Sequence, residues 1–387
     1  MSDQDTDWLN AKITDEALAF MKAHIGIRRK VRPWNSLVTE DTIWHFAQGT
    51  GDDNPLWWDK AYAEKATGRM AAPPTYLYSA YSGGRYLDDK VPSGVDMFLP
   101  GVFGLWASEK WHWERPAVLG DKIVSYMELA DAKLHETGKF GGRSVSHVER
   151  TTFHVGEDGP QIGEVRRTLK RIERAGARER NAFADWKPAR YTAADREQFD
   201  KEYEAETAQR RGAEPRYIED VKAGDSLGRL LKGPLTITNM VGWLLGWGSP
   251  MCQTNRIAHK FLKATPGMRY HNPETGIDDT LEGAHWDPYL AQMSGVPEGY
   301  DFGAQRISWL CHLLTDWGGD AAFVSDLDAR ILRPNFLGDT QRISGQVTTV
   351  QPGNNEDAAL CELKAVNQDG LTTAVATARV VLPSRPR

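Results

Sequence analysis

Apolar and polar residues alternate along eight stretches of the chain, and these stretches fall into two groups of four. The first group is EKWHWERP, KIVSYMELADAKLH, RSVSHVERTTFHV and EVRRTLKRIE; the second is SDLDARILRP, QRISGQVTTVQP, ALCELKAVNQ and TTAVATARVVLP. A period of two in segments rich in β-branched and aromatic residues predicts strands with one buried face. Connections as short as GEDGP and NQDG make neighbouring strands antiparallel. Helical patterns precede each group. Short helices are predicted over Thr39–Ala47 and Thr236–Leu245, each followed by a Gly-rich loop and a second short helix. Asp59 and Asp287 suit the N-cap of that second helix, and Pro288 its first turn. A longer apolar helix is then predicted from PTYLYSAYS in the first half and from AQRISWLCHLLTDW, behind Gly303, in the second. The latter is apolar on both sides and is expected to be buried. Each half therefore reads as an antiparallel sheet covered on one face by a long helix.

The two halves are copies. RPAVLGD at Arg115–Asp121 returns as RPNFLGD at Arg333–Asp339. LWWDKAYAEKATG from Leu56 pairs with AHWDPYLAQMSG from Ala284, which sets Trp58 on Trp286, Asp59 on Asp287 and Trp57 opposite His285. Upstream, VTEDTIWHFAQGTGDD from Val38 pairs with LTITNMVGWLLGWGSP from Leu235, setting Gly49 on Gly246 and Gly51 on Gly248. The offset is 197 residues in this earliest block and 228 in the middle one, so the second copy carries an insertion of 31 residues between Gly248 and His285. Between the copies, Ala175–Pro215 is highly charged and poor in branched apolar residues, which reads as a partly helical linker over the surface. The expected organisation is residues 1–174, linker 175–215, and residues 216–387 with an inserted loop around 249–284.

Composition narrows the function classes. A net charge of −6 with acidic and basic residues interspersed gives no nucleic-acid surface. With no apolar run long enough to span a bilayer and no signal-like start in MSDQDTDWLN, the expected location is the cytoplasm. The cysteines, Cys252, Cys311 and Cys361, lack metal-ligand spacing, so neither a metal site nor a disulfide framework is expected. Core and interface filling accounts for most of the 14 tryptophans, and a wide apolar cleft for a bulky ligand is the sharper alternative.

FAQGTGDDNPLWWDKAYA, APPTYL, WHWERPAVLGDKI and the second-half AHWDPYLAQMSGVP with YDFGAQRISWL together resemble the MaoC-like acyl dehydratases, which include the R-specific enoyl-CoA hydratases. The resemblance covers about Val38–Ile172 and Tyr217–Pro383. It implies an α+β double hotdog, two long helices each wrapped by a curved antiparallel sheet. It also implies an acyl thioester substrate and no cofactor besides the CoA of that substrate. In the family an Asp and a His, in the order G-D-x-N-P-x-H, hold a water between them. A backbone N–H at the head of the long helix faces the thioester oxygen.

Neither half keeps that pair. Gly51, Asp52, Asn54 and Pro55 match in the first half, but Trp57 occupies the His position and cannot accept a proton. His285 matches in the second half, yet Thr280 stands five residues before it and Ser249 falls opposite Asp52. Packing about a pseudo-twofold axis places equivalent positions in opposite clefts, so Asp52 and His285 are not expected to meet. The expected site therefore lies in the second half, rebuilt by the insertion. His285 would move the proton with Asp279 or Asp278 as its carboxylate partner. Gly303 would offer the oxyanion N–H, and Tyr270 of the insertion would contact substrate. Glu282 and His271 also lie in or beside this segment. Asp52 is the further catalytic candidate, should the site lie in the first half; Asp52 and Asn54 also fit local turn formation or a contact with substrate, and Trp57 would reshape the retired first cleft. Lys139 and Arg143 in TGKFGGRS are candidates for CoA phosphates. The expected activity is hydration of a 2-enoyl thioester with a bulky or aromatic acyl group, by a homodimer whose sheet edges are covered. A thioesterase, a non-catalytic acyl-CoA-binding partner subunit and an enzyme acting on a non-CoA aromatic compound are the alternatives.

Overall fold

The computed structural model describes residues 10–81, 98–99, 101–137, 142–249, 251–351 and 357–386. Among the described residues there are twelve strands: β1 (Arg29–Val31), β2 (Phe103–Trp113), β3 (Ile123–His135), β4 (Ser144–Val155), β5 (Gln161–Ile172), β6 (Ser226–Lys232), β7 (Arg269–His271), β8 (Asp278–Thr280), β9 (Phe323–Ile331), β10 (Gln341–Gln351), β11 (Ala358–Asn367) and β12 (Thr372–Val381). Ten of them form one sheet in the order β1-β3-β4-β5-β2-β9-β12-β11-β10-β6. All eight predicted strands are there. β1 and β6, which close the two ends of the sheet, come from segments too short or too irregular to show a period of two.

The halves join along β2 and β9, which run antiparallel and bring Lys110 opposite Asp328. These residues are 218 apart, as are Arg115 and Arg333, so the pseudo-twofold axis passes between equivalent positions. Lys110 Nζ lies 2.7 Å from the Asp328 carboxylate. On the inner face, helices Glu40–Thr50 and Ile237–Trp247 cross each other, again as equivalents. Thr39 and Thr236 start them with matching capping boxes. Glycines set the closeness of the crossing. A Cβ on Gly246 would lie 2.5 Å from the His45 carbonyl oxygen, and one on Gly49 3.0 Å from that of Gly242.

The second half holds the long helix Gly303–Gly318, buried at every position from Ala304 to Gly318 except Thr315. It lies against β6, β9, β10, β11 and β12, as a central helix wrapped by its sheet. The first half departs from expectation. Among the described residues its counterpart is a 3₁₀ helix over Pro74–Ala80. The run is dominated by Thr, Tyr and Ser, which lose rotamer freedom or compete for backbone groups in an α-helix. Its Tyr78 hydroxyl is committed to the buried Glu109 carboxylate. The linker is partly helical as expected, with helices Arg174–Arg180 and Ala193–Gln209, but its first part is not confined to the surface. Arg174 and Ala177 are buried. The insertion folds into helix Asn255–Ala264 and the β7–β8 hairpin, leading into a 3₁₀ helix, Leu281–His285. Among the described residues no helix is long and apolar enough to cross a membrane.

Candidate active site

A cavity of about 520 Å³ opens between the halves. The first half contributes Phe103, Leu105 and Trp106 from β2, Arg171 from β5 and Arg174 at its end, and the linker contributes Phe183. The second half contributes Trp247, Glu282, His285, Phe302 and Gly303. The wall is chiefly aromatic and aliphatic, and it also carries the basic side chains Lys170, Arg171, Arg174, Arg306 and Arg333 beside Glu282, His285 and Asp301.

His285 closes the 3₁₀ helix Leu281–His285. Its ring stacks on Phe302, 3.8 Å between centroids, and Nδ1 lies 2.7 Å from the Tyr300 carbonyl oxygen. A carbonyl only accepts, so Nδ1 carries the proton and Nε2 keeps its lone pair. Burial pushes the imidazole down to about 4, and the hydrogen bond to Tyr300 opposes this only in part. The ring is therefore a neutral base fixed in orientation. Beside it the long helix begins. Its N-cap is Phe302, which has no side chain to bond the exposed N–H groups of the first turn. Gly303, the first helical residue, lines the cavity, and a Cβ there would lie 2.4 Å from Trp106 Cγ. A bare backbone N–H and the positive end of a helix dipole thus face the same space as the imidazole.

Glu282 is 4% exposed and lines the cavity. Its Oε2 accepts a hydrogen bond from Ser249 Oγ at 2.6 Å and a longer one from Cys252 Sγ at 3.4 Å. Asp301, also on the wall, is committed to the Arg306 guanidinium.

The first-half position is closed. Trp57 is 5% exposed and donates its indole N–H to Asp52 Oδ2 at 2.9 Å, while Asp52 Oδ1 accepts from the Asn54 backbone N–H. Asn54 caps the short helix Pro55–Trp58. The missing histidine is answered by one from the other half. His312, on the long helix, places Nε2 3.4 Å from Asp52 Oδ1 and 3.3 Å from Asp316 Oδ2. Ligand atoms of Asp52, His312 and Asp316 lie within 4.8 Å of one another. The donor set does not suit a cation. Lys232 Nζ, 2.8 Å from His312 Nδ1, makes that nitrogen the acceptor and leaves the proton on Nε2, which lies near both carboxylates without hydrogen-bond geometry to either. Burial raises Asp316, but His312 and Arg210 outweigh it and hold its carboxyl below the usual range. The cluster is a buried ion network that ties the halves together, and none of its members lines the cavity. Asp52→Asn should leave turnover unchanged and lower the melting temperature, because breaking one member of a buried charge cluster costs roughly 3–5 kcal/mol. Parallel kinetics and thermal unfolding check this.

Several expected site residues stand elsewhere. Asp278 and Asp279 are exposed on the β7–β8 hairpin, and Asp278 is paired with His271 at 2.9 Å. Tyr270 is 1% exposed and stacks on Tyr289 in a small core, away from the cavity wall. Asp52, Asn54 and Trp57 hold one another rather than facing the cavity. Arg143 is tied to Asp15 and the Ile13 carbonyl, and Lys139 lies outside the described residues. Glu282 lines the cavity three residues before His285, a spacing visible in the sequence. His312 has no such local signal, because its partner Asp52 sits 260 residues away in sequence.

Residues 23–156 match the family model described as the FAS1-like dehydratase domain region. No curated protein matches the sequence. Among solved structures the chain is similar to a MaoC-like dehydratase, with 18% identity, a TM-score of 0.61, and 94% of this chain and 100% of that one covered. It is also similar to a putative MaoC domain protein dehydratase from Chloroflexus aurantiacus, with 12% identity, a TM-score of 0.55, and 94% and 96% covered. A conserved hypothetical protein from Mycobacterium tuberculosis with a double hotdog fold gives 13% identity, a TM-score of 0.52, and 92% and 96% covered. The fold is a double hotdog of the α+β class, shared with MaoC-like dehydratases.

Proposed function

We propose that this protein reversibly adds water to a 2-enoyl thioester, as a hydratase or dehydratase of the MaoC-like type, on a bulky or aromatic acyl group carried by CoA. The observation that carries this reading is a neutral, oriented imidazole at His285 beside the uncapped head of a buried helix. Hydration needs a base for the water proton, an acid for Cα, and donors for the enolate oxygen. In this reading His285 Nε2 takes a proton as the water oxygen bonds to Cβ and the π electrons move to the thioester oxygen. The imidazolium then returns that proton to Cα on the same face, a net syn addition. The Gly303 N–H and the helix dipole hold the developing oxyanion. The aromatic wall of Phe103, Trp106, Phe183, Trp247 and Phe302 favours a large acyl group over a short one. The reaction as written uses no metal and no redox cofactor.

Loss of ultraviolet absorbance by the conjugated thioester tests this, over short, long, aromatic and steroid-like enoyl-CoAs. Release of free thiol from a saturated acyl-CoA would support a thioesterase. Saturable binding without turnover would support a partner subunit. The state of His285 also fixes a pH profile. kcat/KM should stay level from pH 8 to about pH 5 and fall only as pH approaches 4, where the imidazole takes up a proton. An acid limb near the ordinary value of 6.5 would contradict the assignment.

A further inference from the structure

The geometry points to Glu282 as the carboxylate partner of His285, held in place by Ser249 and replacing the aspartate that the second half lacks. This rests on the hydratase reading of the cavity.

The two register offsets explain how the residue types moved. At 197 residues Asp52 falls on Ser249; at 228 residues Asn54 falls on Glu282 and Trp57 on His285. The first half thus carries its carboxylate at the first position of the loop and a neutral polar side chain at the second. The second half carries the hydroxyl first and the carboxylate second. The inserted helix and hairpin separate the two positions in sequence, yet the fold returns them to contact, Ser249 Oγ to Glu282 Oε2 at 2.6 Å. The turn itself is kept: Asp52 Oδ1 accepts from the Asn54 N–H at 3.0 Å, and Ser249 Oγ accepts from the Met251 N–H at 3.2 Å. The charge has moved from the first position to the one that Glu282 fills.

That move aims the carboxylate correctly. Glu282 and His285 are three residues apart in a 3₁₀ helix, where side chains at i and i+3 eclipse. Both line the cavity. Glu282 lies close enough to Tyr300 to raise its phenol further, and the Tyr300 carbonyl holds His285 Nδ1. Asp278 and Asp279 lie on the exposed hairpin, and Asp301 is taken up by Arg306. Glu282 would accept one O–H of the attacking water while Nε2 of His285 accepts the other. Its negative charge would offset the cost of forming an imidazolium in a site where burial disfavours it. In the dehydration direction the same groups act in reverse. His285 takes the Cα proton and returns it to the departing hydroxyl, and the water formed leaves from the carboxylate.

The test uses the full-length protein and two readouts. Nitrogen-15 NMR follows the His285 ring, identified by its absence in His285→Ala, from pH 8 downward in wild type and Glu282→Gln. This readout does not require turnover. The expected result is a lower protonation midpoint in Glu282→Gln by at least half a pH unit. An unchanged ring titration would overturn the pairing even if wild type is an active hydratase. Enoyl-CoA hydration is measured alongside. Glu282→Asn should lose about 10²–10⁴-fold in kcat, the range for a group acting on a transferred proton. Ser249→Asp combined with Glu282→Asn restores the first-half order and should recover at least tenfold of that loss. A rate loss in Glu282→Asn with neither recovery nor a shifted His285 titration would mark Glu282 as merely structural. Coupled titration without any hydration would instead sink the hydratase reading and leave the pair standing.

Discussion

His285→Ala is expected to lower kcat/KM for enoyl-CoA hydration by about 10²–10⁴-fold, the usual contribution of an essential acid–base group, while the protein stays folded. The imidazole faces the cavity and makes one backbone hydrogen bond, to the Tyr300 carbonyl, so its removal strands little. Its stacking on Phe302 is lost, which costs stability but does not break an element. His285→Asn separates the two roles. An amide N–H can still reach the Tyr300 carbonyl, yet an amide cannot take a proton. Both variants should therefore be equally slow, with His285→Asn the more stable. Steady-state hydration beside circular-dichroism melting reads both quantities. Turnover surviving in either variant would place the chemistry elsewhere.

A large loss of stability is also expected from a single methyl group. Gly246→Ala puts a Cβ 2.5 Å from the His45 carbonyl oxygen, 3.0 Å from Phe46 Cα and 3.2 Å from the His45 carbonyl carbon. All three atoms are backbone, so no rotamer change relieves the overlap and the two crossing helices must separate. Overpacking of this kind costs about 1–3 kcal/mol, and a purely backbone obstacle puts Gly246 at the upper end. Gly242, on the same helix, has nothing within 4 Å of its would-be Cβ. Gly242→Ala should be neutral or stabilising by up to about 1 kcal/mol, as for any helix-interior glycine. Urea unfolding of the two variants beside wild type makes the comparison. Equal midpoints would mean that the crossing is not close.

Local rules made much of this architecture readable. The strands β2–β5 and β9–β12 announce themselves by period two, because each buries one face only. Asp59 and Asp287 cap the helices that their positions predict. The duplication was legible because Gly49 and Gly246 must both be glycine for one physical reason, the crossing they share. Contacts between the halves were not legible. The His312–Asp52 pair depends on how one half sits on the other, and no local pattern encodes that. The same holds for Phe183, which looks like a linker residue and lines the cavity. Asp278 and Asp279 looked like partners for His285 because they are near in sequence. A hairpin turned them outward, while Glu282, nearer still, shares a helical face with the histidine. The first long helix failed for a different reason. Its aromatic and hydroxyl side chains pack well but favour no extended α-helix, and amphipathic patterning does not record that preference.

The seam between β2 and β9 bears on how such a chain could have arisen. On a true twofold axis each residue faces its own copy. Here the equivalent residues Lys110 and Asp328 face each other, so a dimer of two first halves would set lysine against lysine, and a dimer of two second halves aspartate against aspartate. Like charges directly across an antiparallel pair are unfavourable, whereas the mixed pair is favourable. The axis position therefore distinguishes self from sibling. The pair is exposed and worth only about 0.2–1 kcal/mol, so it biases each half toward its sibling rather than forbidding self-pairing, and a single chain makes that preferred pairing intramolecular.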